Sequence, residues 1–504
     1  MALTGLAGND YYIHTALAGV YNKDNMLKIF ASFAFFLLLS GPAGAAGRAY
    51  SSLNSVKSAD IPAAALPAAV PQVSAPAHRS PKDWTVIYYS TTKDQLRYSM
   101  MWGLLDMKKT GSTDKVNVVI QAAVPIKHAD GSISTPTIRM ALGAAGNPDD
   151  LDAKVEAMFK AGGAIDESVL NTFSADIISQ QNATDTGDWH NVADFTRWAK
   201  ANYPASHYAF LIYGHGNGFF DSKKTHDKGT LIDVETKDYV TLPELRLLMQ
   251  QTGHVDAFIM TSCIMQMGEV AWQVKDYTDA IVGSSELMWS VGYDLDGMLK
   301  TLNSNPSISG LELGNVMAKG YVDRVTEYKL AGAHASVIQT SKLPEFGAKL
   351  DAWVDAELAL NDKGPIAKGV AGAARFDIFG VTLATTAAVA SRVSMSGDLY
   401  DFVSIVTANT PQDTPAQQLA RQTGSDLMDF ISNGLVYKYY YTGKTNTGFD
   451  FSRAHGLSVH VPPVRLIGGS WDAFSQYMEE DYFTLPFATE TKWGAFLNWV
   501  YVRK

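Results

Sequence analysis

Two stretches of sequence decide the fold: HYAFLIYGHGNG at residues 207–218 and VDAFIMTSCIM at residues 255–265. Each opens with an apolar run that lacks the alternation of a half-exposed strand, which is typical of a strand buried on both faces of a sheet. Each then passes into a loop with a reactive side chain, His215 in the first and Cys263 in the second. Because ligands bind beyond the carboxyl ends of parallel strands, the two loops predict a site at one edge of a parallel sheet.

Similar apolar runs elsewhere predict further strands with helices between them, a spacing that favours a parallel sheet with right-handed crossovers. Strands are predicted at 84–89, 116–121, 137–142 and 279–284, and helices at about 94–109, 150–160, 190–201 and 265–276. A helix is also predicted from Leu242, with Thr241 as its N-cap. Beyond about residue 300 the signals are mixed, with helices near 311–328, 343–360 and 412–434 and a strand at 457–461. The fold class is therefore α/β.

The composition excludes several classes of protein. The chain has 504 residues, of which 46% are hydrophobic and 18% charged, so it can bury a core and is neither collagen-like, mucin-like nor wholly disordered. It carries 41 basic and 51 acidic residues, a formal charge of −10, without a basic cluster. We therefore expect no nucleic-acid partner.

Cys263 is the one cysteine of the chain, which excludes an intramolecular disulfide and any metal or redox site built from several cysteines. It is either an inert core residue or a nucleophile. At the junction of a strand with a helix, its thiolate would be stabilised by backbone N–H groups and the helix dipole. If the two strands are neighbours, His215 faces it as a nucleophile pair requires, although a Gly-His-Gly loop can also be a plain turn. No HExxH spacing occurs, so we expect no metal centre.

The amino terminus has the pattern of an export signal. Residues 27–47 contain Lys28, an apolar stretch and then Ala-Gly-Ala, which fits the small-residue pattern before a signal-peptidase cleavage site. The apolar stretch is too short for a transmembrane helix. An amphipathic or buried helix is the alternative. The first 25 residues are either a mis-called start before Met26 or an extended n-region. We assign 1–45 to the signal region and 46–82 to an Ala/Pro-rich linker. The mature protein is expected to be periplasmic or secreted, without a membrane anchor.

Several stretches resemble the clostripain-like cysteine peptidases, peptidase family C11 of clan CD, which are relatives of the caspases. The quoted loops resemble the catalytic His and Cys segments of that family. The similar stretches are WTVIYYSTTKDQL (84–96), DFTRWAKANYPASHYAFLIYGHGNGF (194–219), VDAFIMTSCIMQMGEVAWQV (255–274), VGSSELMWSVGYD (282–294), HGLSVHVPP (455–463) and YFTLPFATETKWGAFL (482–497).

The resemblance implies a caspase-like α/β/α sandwich, with a catalytic domain over 83–300 and a family-specific α+β region over 301–504 that completes the fold. Cys263 would be the nucleophile and His215 the general base and acid of a dyad, with no third residue assigned. The backbone N–H groups of Gly216 and Cys263 would form the oxyanion hole. The substrate pocket would be lined by Thr261, Ser284, Ser285 and Glu286. The substrates would be polypeptides, and we expect a monomer.

The sequence departs from the family at two places. Thr261 stands where the family usually has an acidic residue that selects Arg or Lys at P1, and a neutral hydroxyl cannot pair with a guanidinium. Asp294, Asp296 or Glu286 could supply that charge, or they could be solvated surface residues. After the first strand, Thr91-Thr92-Lys93 replaces the usual Asp-Asn.

Two further properties of the family are left open by the sequence. Some relatives need calcium, but no Asp-rich loop compels it here, so we expect no cofactor. Relatives often cleave themselves between the catalytic His and Cys. DSKKTHDKGT at 221–230 is a candidate processing loop, with Lys223, Lys224 and Lys228 as cleavage points, or an ordinary solvated loop.

The sequence thus predicts an exported cysteine endopeptidase that acts through Cys263 and His215. The alternative is a catalytically degenerate relative that binds peptides or surface partners, for which Thr261 is the main support. A third possibility is another thiol hydrolase or transferase on an α/β sheet.

Overall fold

The computed structural model describes residues 80–182, 184–219, 229–330, 332–376, 395–444, 450–462 and 482–501. The predicted signal region and nearly all of the predicted linker lie outside the described residues. The first strand begins at Lys82, two residues before the predicted start at Trp84.

A nine-stranded sheet forms the centre of the molecule. In chain order the strands are β1 (Lys82–Ser90), β2 (Val116–Ala123), β3 (Ile126–Lys127), β4 (Ile133–Ser134), β5 (Thr137–Ala141), β6 (Ile177–Gln181), β7 (Ala205–Tyr213), β8 (Val255–Thr261), β9 (Thr278–Gly283), β10 (Ala333–Gln339), β11 (Ser396–Asp398), β12 (Val436–Thr442) and β13 (Ser458–His460). The order in the sheet is β12-β10-β9-β8-β7-β1-β2-β5-β6. The five central strands are parallel, namely β9, β8, β7, β1 and β2. At each edge of the sheet two antiparallel strands follow, β10 and β12 on one side and β5 and β6 on the other. β11 pairs with β13 and β3 pairs with β4 in small separate sheets.

Helices cover both faces of this sheet. They are α1 (Arg97–Thr110), α2 (Asp149–Lys160), α3 (Glu167–Leu170), α4 (Trp189–Asn202), α5 (Leu242–Thr252), α6 (Gly268–Val274), α7 (Leu295–Ser304), α8 (Gly310–Glu327), α9 (Leu343–Leu360), α10 (Lys363–Gly372), α11 (Leu399–Asn409), α12 (Pro415–Phe430), α13 (Pro486–Glu490) and α14 (Trp493–Tyr501). α1, α2, α7 and α8 pack into one hydrophobic core, and α4, α5, α6 and α9 pack into the other. The fold is therefore the predicted α/β/α sandwich.

The apolar runs explain why the central strands lie where they do. All of β2 is buried, as is β1 from Trp84 onward, because both faces of these strands are covered by helices. Alternate residues serve the two cores, with Ile87 and Tyr89 on one face and Val86 and Tyr88 on the other. The N-cap predicted for α5 is confirmed, since Thr241 and Glu244 form a capping box.

The carboxyl-terminal part of the chain differs most from the prediction. β10 and β12 extend the same sheet, antiparallel to their neighbours, but no strand was predicted for either. The predicted strand at 457–461 is present as β13, outside the main sheet. The helix predicted at 265–276 is shorter, and it begins only at Gly268.

Candidate active site

The two loops that carry His215 and Cys263 leave adjacent strands at the same sheet edge. β7 and β8 are parallel neighbours, with Tyr213 in register with Thr261. His215 and Cys263 each lie two residues beyond that pair. The Gly214 N–H donates to the Thr261 carbonyl at 3.3 Å, which joins the loops just past the sheet. The structure therefore brings the two loops together at one edge of the sheet, and the pairing of the two side chains stays a prediction.

Gly216 lets the His loop lie directly against the Cys loop. A β-carbon at this position would lie 2.7 Å from the Cys263 carbonyl oxygen, 2.8 Å from Ser262 Cβ and 3.0 Å from Met265 Cγ. The first two distances are shorter than those that real Cβ atoms show, so only glycine fits without moving one of the loops.

The chain turns sharply after Cys263. Ile264 has a φ of 61°, in the left-handed region that a β-branched residue rarely adopts. Its N–H donates to the Glu286 carbonyl at 3.2 Å, and its side chain is buried. The Gln266 N–H donates to the Ser284 carbonyl at 3.1 Å. The nucleophile loop is thereby fixed against the loop that follows β9.

The thiol of Cys263 is partly buried, and it accepts a hydrogen bond from the Met288 N–H at 3.3 Å. Burial raises the pKa of Cys263 to about 11, and the charge of Glu286 adds to this, although the Met288 N–H acts in the opposite direction. α6 begins only at Gly268, so Cys263 does not belong to its first turn. Stabilisation of the thiolate by the helix dipole stays a prediction.

Asp94 is a site residue that the sequence analysis missed. Its Oδ2 lies 2.5 Å from Nε2 of His215. It follows β1, whose Ser90 is in register with Tyr213 of β7, so the loop after β1 meets the His loop. Burial of Asp94 raises its pKa, but the hydrogen bond and charge of His215 and the Leu96 N–H outweigh burial, and the pKa is lowered overall. An acidic residue just beyond a third strand at the same sheet edge was the signal that could have found it.

The predicted pocket residues lie around the nucleophile loop. Thr261 ends β8 and is partly buried. Ser284 and Ser285 are fully buried: the Ser284 hydroxyl accepts from the Glu286 N–H at 3.0 Å, and the Ser285 hydroxyl donates to the Gln266 carbonyl at 2.8 Å. Glu286 is also buried, and its Oε1 accepts from the Leu287 N–H at 3.0 Å. Contact of these residues with a substrate stays a prediction.

Two of the three acidic residues considered as substitutes for an acidic residue at position 261 make contacts within or next to α7. Asp294 caps the helix by accepting from the Gly297 N–H at 3.0 Å. Asp296 accepts from the Thr110 hydroxyl at 2.7 Å and pairs with Lys300 at 2.7 Å.

The predicted oxyanion donors belong to the two loops just described. Gly216 is paired with Thr230 in a short antiparallel bridge, whose hydrogen bonds run from the Asn217 N–H to the Gly229 carbonyl and from the Leu231 N–H to the His215 carbonyl. In the part of the chain that the structure describes, neither the Gly216 nor the Cys263 N–H donates to a backbone carbonyl.

The predicted processing points Lys223, Lys224 and Lys228 lie outside the described residues. Over the ranges that are described, no group of three or more His, Cys, Asp or Glu side chains could hold a metal ion. None of the described helices is long and apolar enough to cross a membrane.

A buried polar cluster connects α6 with the carboxyl-terminal region. The Oε1 atom of Glu269 accepts from the His460 N–H and from the Tyr482 hydroxyl, each at 2.8 Å. Phe219, next to the His loop, packs edge-on against both His460 and Tyr482 at centroid distances of 4.7 and 5.0 Å. Among the residues that the structure describes, buried Oε2 of Glu269 has no hydrogen-bond partner. Burial raises the pKa of Glu269 to about 7.

We expect Glu269 to make the protein less stable as the pH rises from about 4.5 to 7. In that range the unfolded chain releases the proton that the native state keeps, so the free energy of unfolding falls, by an amount on the order of 3 kcal/mol for this group. Glu357 and Asp398, whose pKa values are also raised to about 7 by burial, act in the same direction. Urea unfolding at pH 5 and pH 8 should therefore show a smaller difference in Glu269→Gln than in the wild type. Equal differences would contradict the assignment.

The chain is similar in sequence and in overall structure to known proteins. The sequence profile described as Peptidase C11, the clostripain family, matches residues 160–499. A secreted C11 cysteine protease from Bacteroides thetaiotaomicron, solved with an irreversible peptide inhibitor, has a TM-score of 0.53 at 15% identity, over 82% of this chain and 99% of that chain. A structure of a secreted C11 cysteine protease from the same organism, named iotapain, has a TM-score of 0.52 at 14% identity, over 83% and 99%. No curated protein sequence matches the chain.

The fold therefore places the protein in the caspase-like class, with helices on both faces of a mostly parallel sheet. The family profile covers more than half of the chain. The chain belongs to the clostripain family of cysteine peptidases. The matched region contains both reactive loops, but β1 and the Asp94 loop lie before it.

Proposed function

We propose that the protein is an exported cysteine endopeptidase that hydrolyses peptide bonds through Cys263 and His215. The observation that carries the proposal is the position of the two side chains, each two residues beyond the registered pair Tyr213 and Thr261. A thiol and an imidazole that meet at one sheet edge form a nucleophile with its proton acceptor.

In the proposed reaction, the sulfur of Cys263 attacks the carbonyl carbon of the scissile bond. Cys263 is a thiol at neutral pH, because burial raises its pKa to about 11. His215 must therefore accept the thiol proton as the sulfur attacks, rather than form an ion pair with a thiolate beforehand. The N–H groups of Gly216 and Cys263 stabilise the oxyanion of the tetrahedral intermediate.

His215 then gives its proton to the leaving amine as the C–N bond breaks, which leaves a thioester on Cys263. Water, deprotonated by His215, attacks the thioester carbon. The C–S bond breaks, the acid product leaves, and the sulfur regains its proton. The dyad needs no metal in any of these steps, and we propose that the enzyme requires none, calcium included.

We propose further that the mature enzyme is a monomer that begins after the signal region and acts in the periplasm or outside the cell. The pattern of residues 27–47 supports export. The clostripain family supports polypeptide substrates. Purification of the secreted form followed by amino-terminal sequencing tests the cleavage site, and a start upstream of residue 27 would contradict it.

The P1 residue is proposed to be uncharged rather than Arg or Lys. Thr261 is neutral, and Asp294 and Asp296 are engaged in contacts of α7. Glu286 is the acidic residue beside the nucleophile, but it is buried beneath the loop. A cationic P1 side chain would therefore lose its water without gaining a counter-ion.

A P1-diverse library of fluorogenic peptides tests this function on mature protein that begins near Ala46. We expect turnover, with kcat/KM for neutral P1 residues above that for Arg and Lys. Preference for Arg would contradict the proposed pocket chemistry but not the peptidase. Absence of turnover on the whole library, from intact and from deliberately nicked protein, would favour the second candidate function.

That second candidate is a peptide-binding protein without turnover. Thr261 and the raised pKa of Cys263 favour it, since both make the site less like that of an active thiol enzyme. Iodoacetamide distinguishes the two functions, because a catalytic Cys263 reacts near neutral pH and an inert one does not. Self-processing at Lys223, Lys224 or Lys228 would need Lys at P1, so it is the alternative that a measured preference for Lys would support, and a single intact chain in fully active protein would refute it.

A further inference from the structure

We propose that Asp94 is a positioning residue that orients His215 and stabilises its protonated form, so that the site works as a Cys–His–Asp arrangement. The inference rests on the proposed function. The geometry points to it, since Oδ2 of Asp94 lies 2.5 Å from Nε2 of His215 and both side chains are largely buried.

The carboxylate of Asp94 is itself held in place by its own loop. Oδ1 accepts from the Leu96 N–H at 2.9 Å, which leaves Oδ2 directed at His215. The carbonyl of Asp94 accepts from the Arg97 N–H at 3.1 Å and from Nη1 of Arg97 at 2.8 Å. The Asp94 side chain is therefore held through Oδ1, and its backbone is held through the carbonyl.

The preceding residue anchors the loop to the rest of the molecule. Nζ of Lys93 lies 2.7 Å from Oδ2 of the fully buried Asp233 and donates to the Thr184 carbonyl at 3.1 Å. The Thr91 N–H donates to the Tyr213 carbonyl at 3.3 Å, at the base of the His loop. A buried ion pair and a backbone bond thus hold Asp94 at the correct distance from the imidazole.

The contact determines which ring nitrogen transfers protons. When Nε2–H donates to the Asp94 carboxylate, Nδ1 is the basic nitrogen of the neutral ring. Nδ1 is then the atom that takes the thiol proton and later protonates the leaving amine. The negative charge of Asp94 also stabilises the imidazolium that exists between those two transfers.

The other charged and titratable groups around the pair determine how its pH dependence is interpreted. Burial raises the pKa of Asp94, but His215 and, more weakly, Arg97 on α1 lower it, and the net effect is a lowered pKa. The carboxyl group is therefore ionised throughout the neutral range. Tyr213 on β7 stays neutral, because burial raises its pKa far above that range. Cys263 and Glu286 face the site from the loops after β8 and β9. Loss of the charge on Asp94 should therefore act mainly on His215.

The test compares Asp94→Asn with a matched control on the same two strands. At the other end of β7 and β8, Nδ1 of His207 lies 2.7 Å from Oδ1 of Asp256, whose Oδ2 accepts from the Tyr208 N–H at 2.8 Å. Asp256→Asn therefore removes a similar His–Asp charge contact far from the site. Both variants and the wild type are measured for kcat, KM, melting temperature and the rate of Cys263 alkylation by iodoacetamide from pH 5 to 9.

We expect Asp94→Asn to lower kcat by about 10²- to 10⁴-fold with KM changed less than threefold, as when the orienting carboxylate of other triads is replaced. The acid limb of the pH profile should move to lower pH, because an imidazolium without its counter-ion loses its proton more readily. Asp94→Glu should recover part of kcat, and Asp256→Asn should leave kcat and the limb unchanged.

Two results would overturn the proposal. One is Asp94→Asn with wild-type kcat and an unmoved acid limb. The other is a loss of kcat in Asp94→Asn that a lower melting temperature explains and that Asp256→Asn shows to the same extent. If the wild type itself cleaves no peptide, the proposed function fails, but alkylation still tests the residue. An alkylation profile that differs between wild type and Asp94→Asn supports the His215 contact, and identical profiles refute it.

Discussion

Replacing Cys263 by alanine should lower kcat/KM on every cleaved peptide by at least about 10⁴-fold, because no other group can form the thioester. The loss of a nucleophile in hydrolases that use a covalent intermediate is of that order or larger. In the described residues the sulfur has the Met288 N–H as its hydrogen-bond donor, at 3.3 Å. The structural cost of the substitution should therefore be small, about 1 kcal/mol.

The control for this experiment is the stability of the variant. The melting temperature of Cys263→Ala should lie within a few degrees of the wild type, so that the loss of turnover is chemical. Cys263→Ser keeps the size and a hydrogen-bonding atom, and it should also be nearly inactive, since a hydroxyl is a weaker acid than a thiol and the shorter C–O bond places the oxygen farther from the substrate carbon. Residual turnover of a few per cent in Cys263→Ala would show that the peptide bond is broken elsewhere in the protein.

The central sheet was predictable because its strands are buried on both faces. Such strands must be continuous apolar runs, and the runs at residues 207–213 and 255–260 appear in the structure as β7 and β8 with bounds changed by at most two residues. The strand–helix spacing predicted that they are parallel, but their order in the sheet was not predicted. The position of the site was predictable for the same reason, since the carboxyl ends of neighbouring parallel strands lie side by side.

The antiparallel edge strands were less predictable. β12 reads VYKYYYT and is only partly buried beyond its first residue, so its pattern is weak and its tyrosines also fit other structures. β10 was not predicted for a different reason. It contains His334 and Ser336, which are polar by residue type but fully buried in the structure. Only the tertiary contacts with β9 and β12 determine that these segments are strands.

Asp94 and the geometry of the Cys loop could not be predicted for physical reasons that differ. Asp94 is distant in sequence from His215, and only the parallel pairing of β1 with β7 joins them. Ile264 has a left-handed φ of 61° although its residue type disfavours it, because the buried side chain and the Glu286 contact outweigh the local preference. α6 begins only after that turn, at Gly268 rather than at the predicted residue 265.

Substituting Gly216 by alanine should lower kcat by about 10²- to 10³-fold. The added methyl group would lie 2.7 Å from the Cys263 carbonyl oxygen and 2.8 Å from Ser262 Cβ, so the His loop and the Cys loop must separate. A displacement near 1 Å at reacting groups typically costs about 10²-fold, and the proposed oxyanion donors at Gly216 and Cys263 would move apart as well.

Gly146→Ala is the matched control for that substitution, because a β-carbon at Gly146 meets nothing within 4 Å. It should keep wild-type kcat and melting temperature. Overpacking at Gly216 should also cost about 1–3 kcal/mol of stability, so turnover is measured well below the melting temperature of the variant. If Gly216→Ala is folded and retains wild-type kcat, catalysis does not depend on the close contact between the two loops, and the argument that only glycine keeps the site in its active geometry would fail.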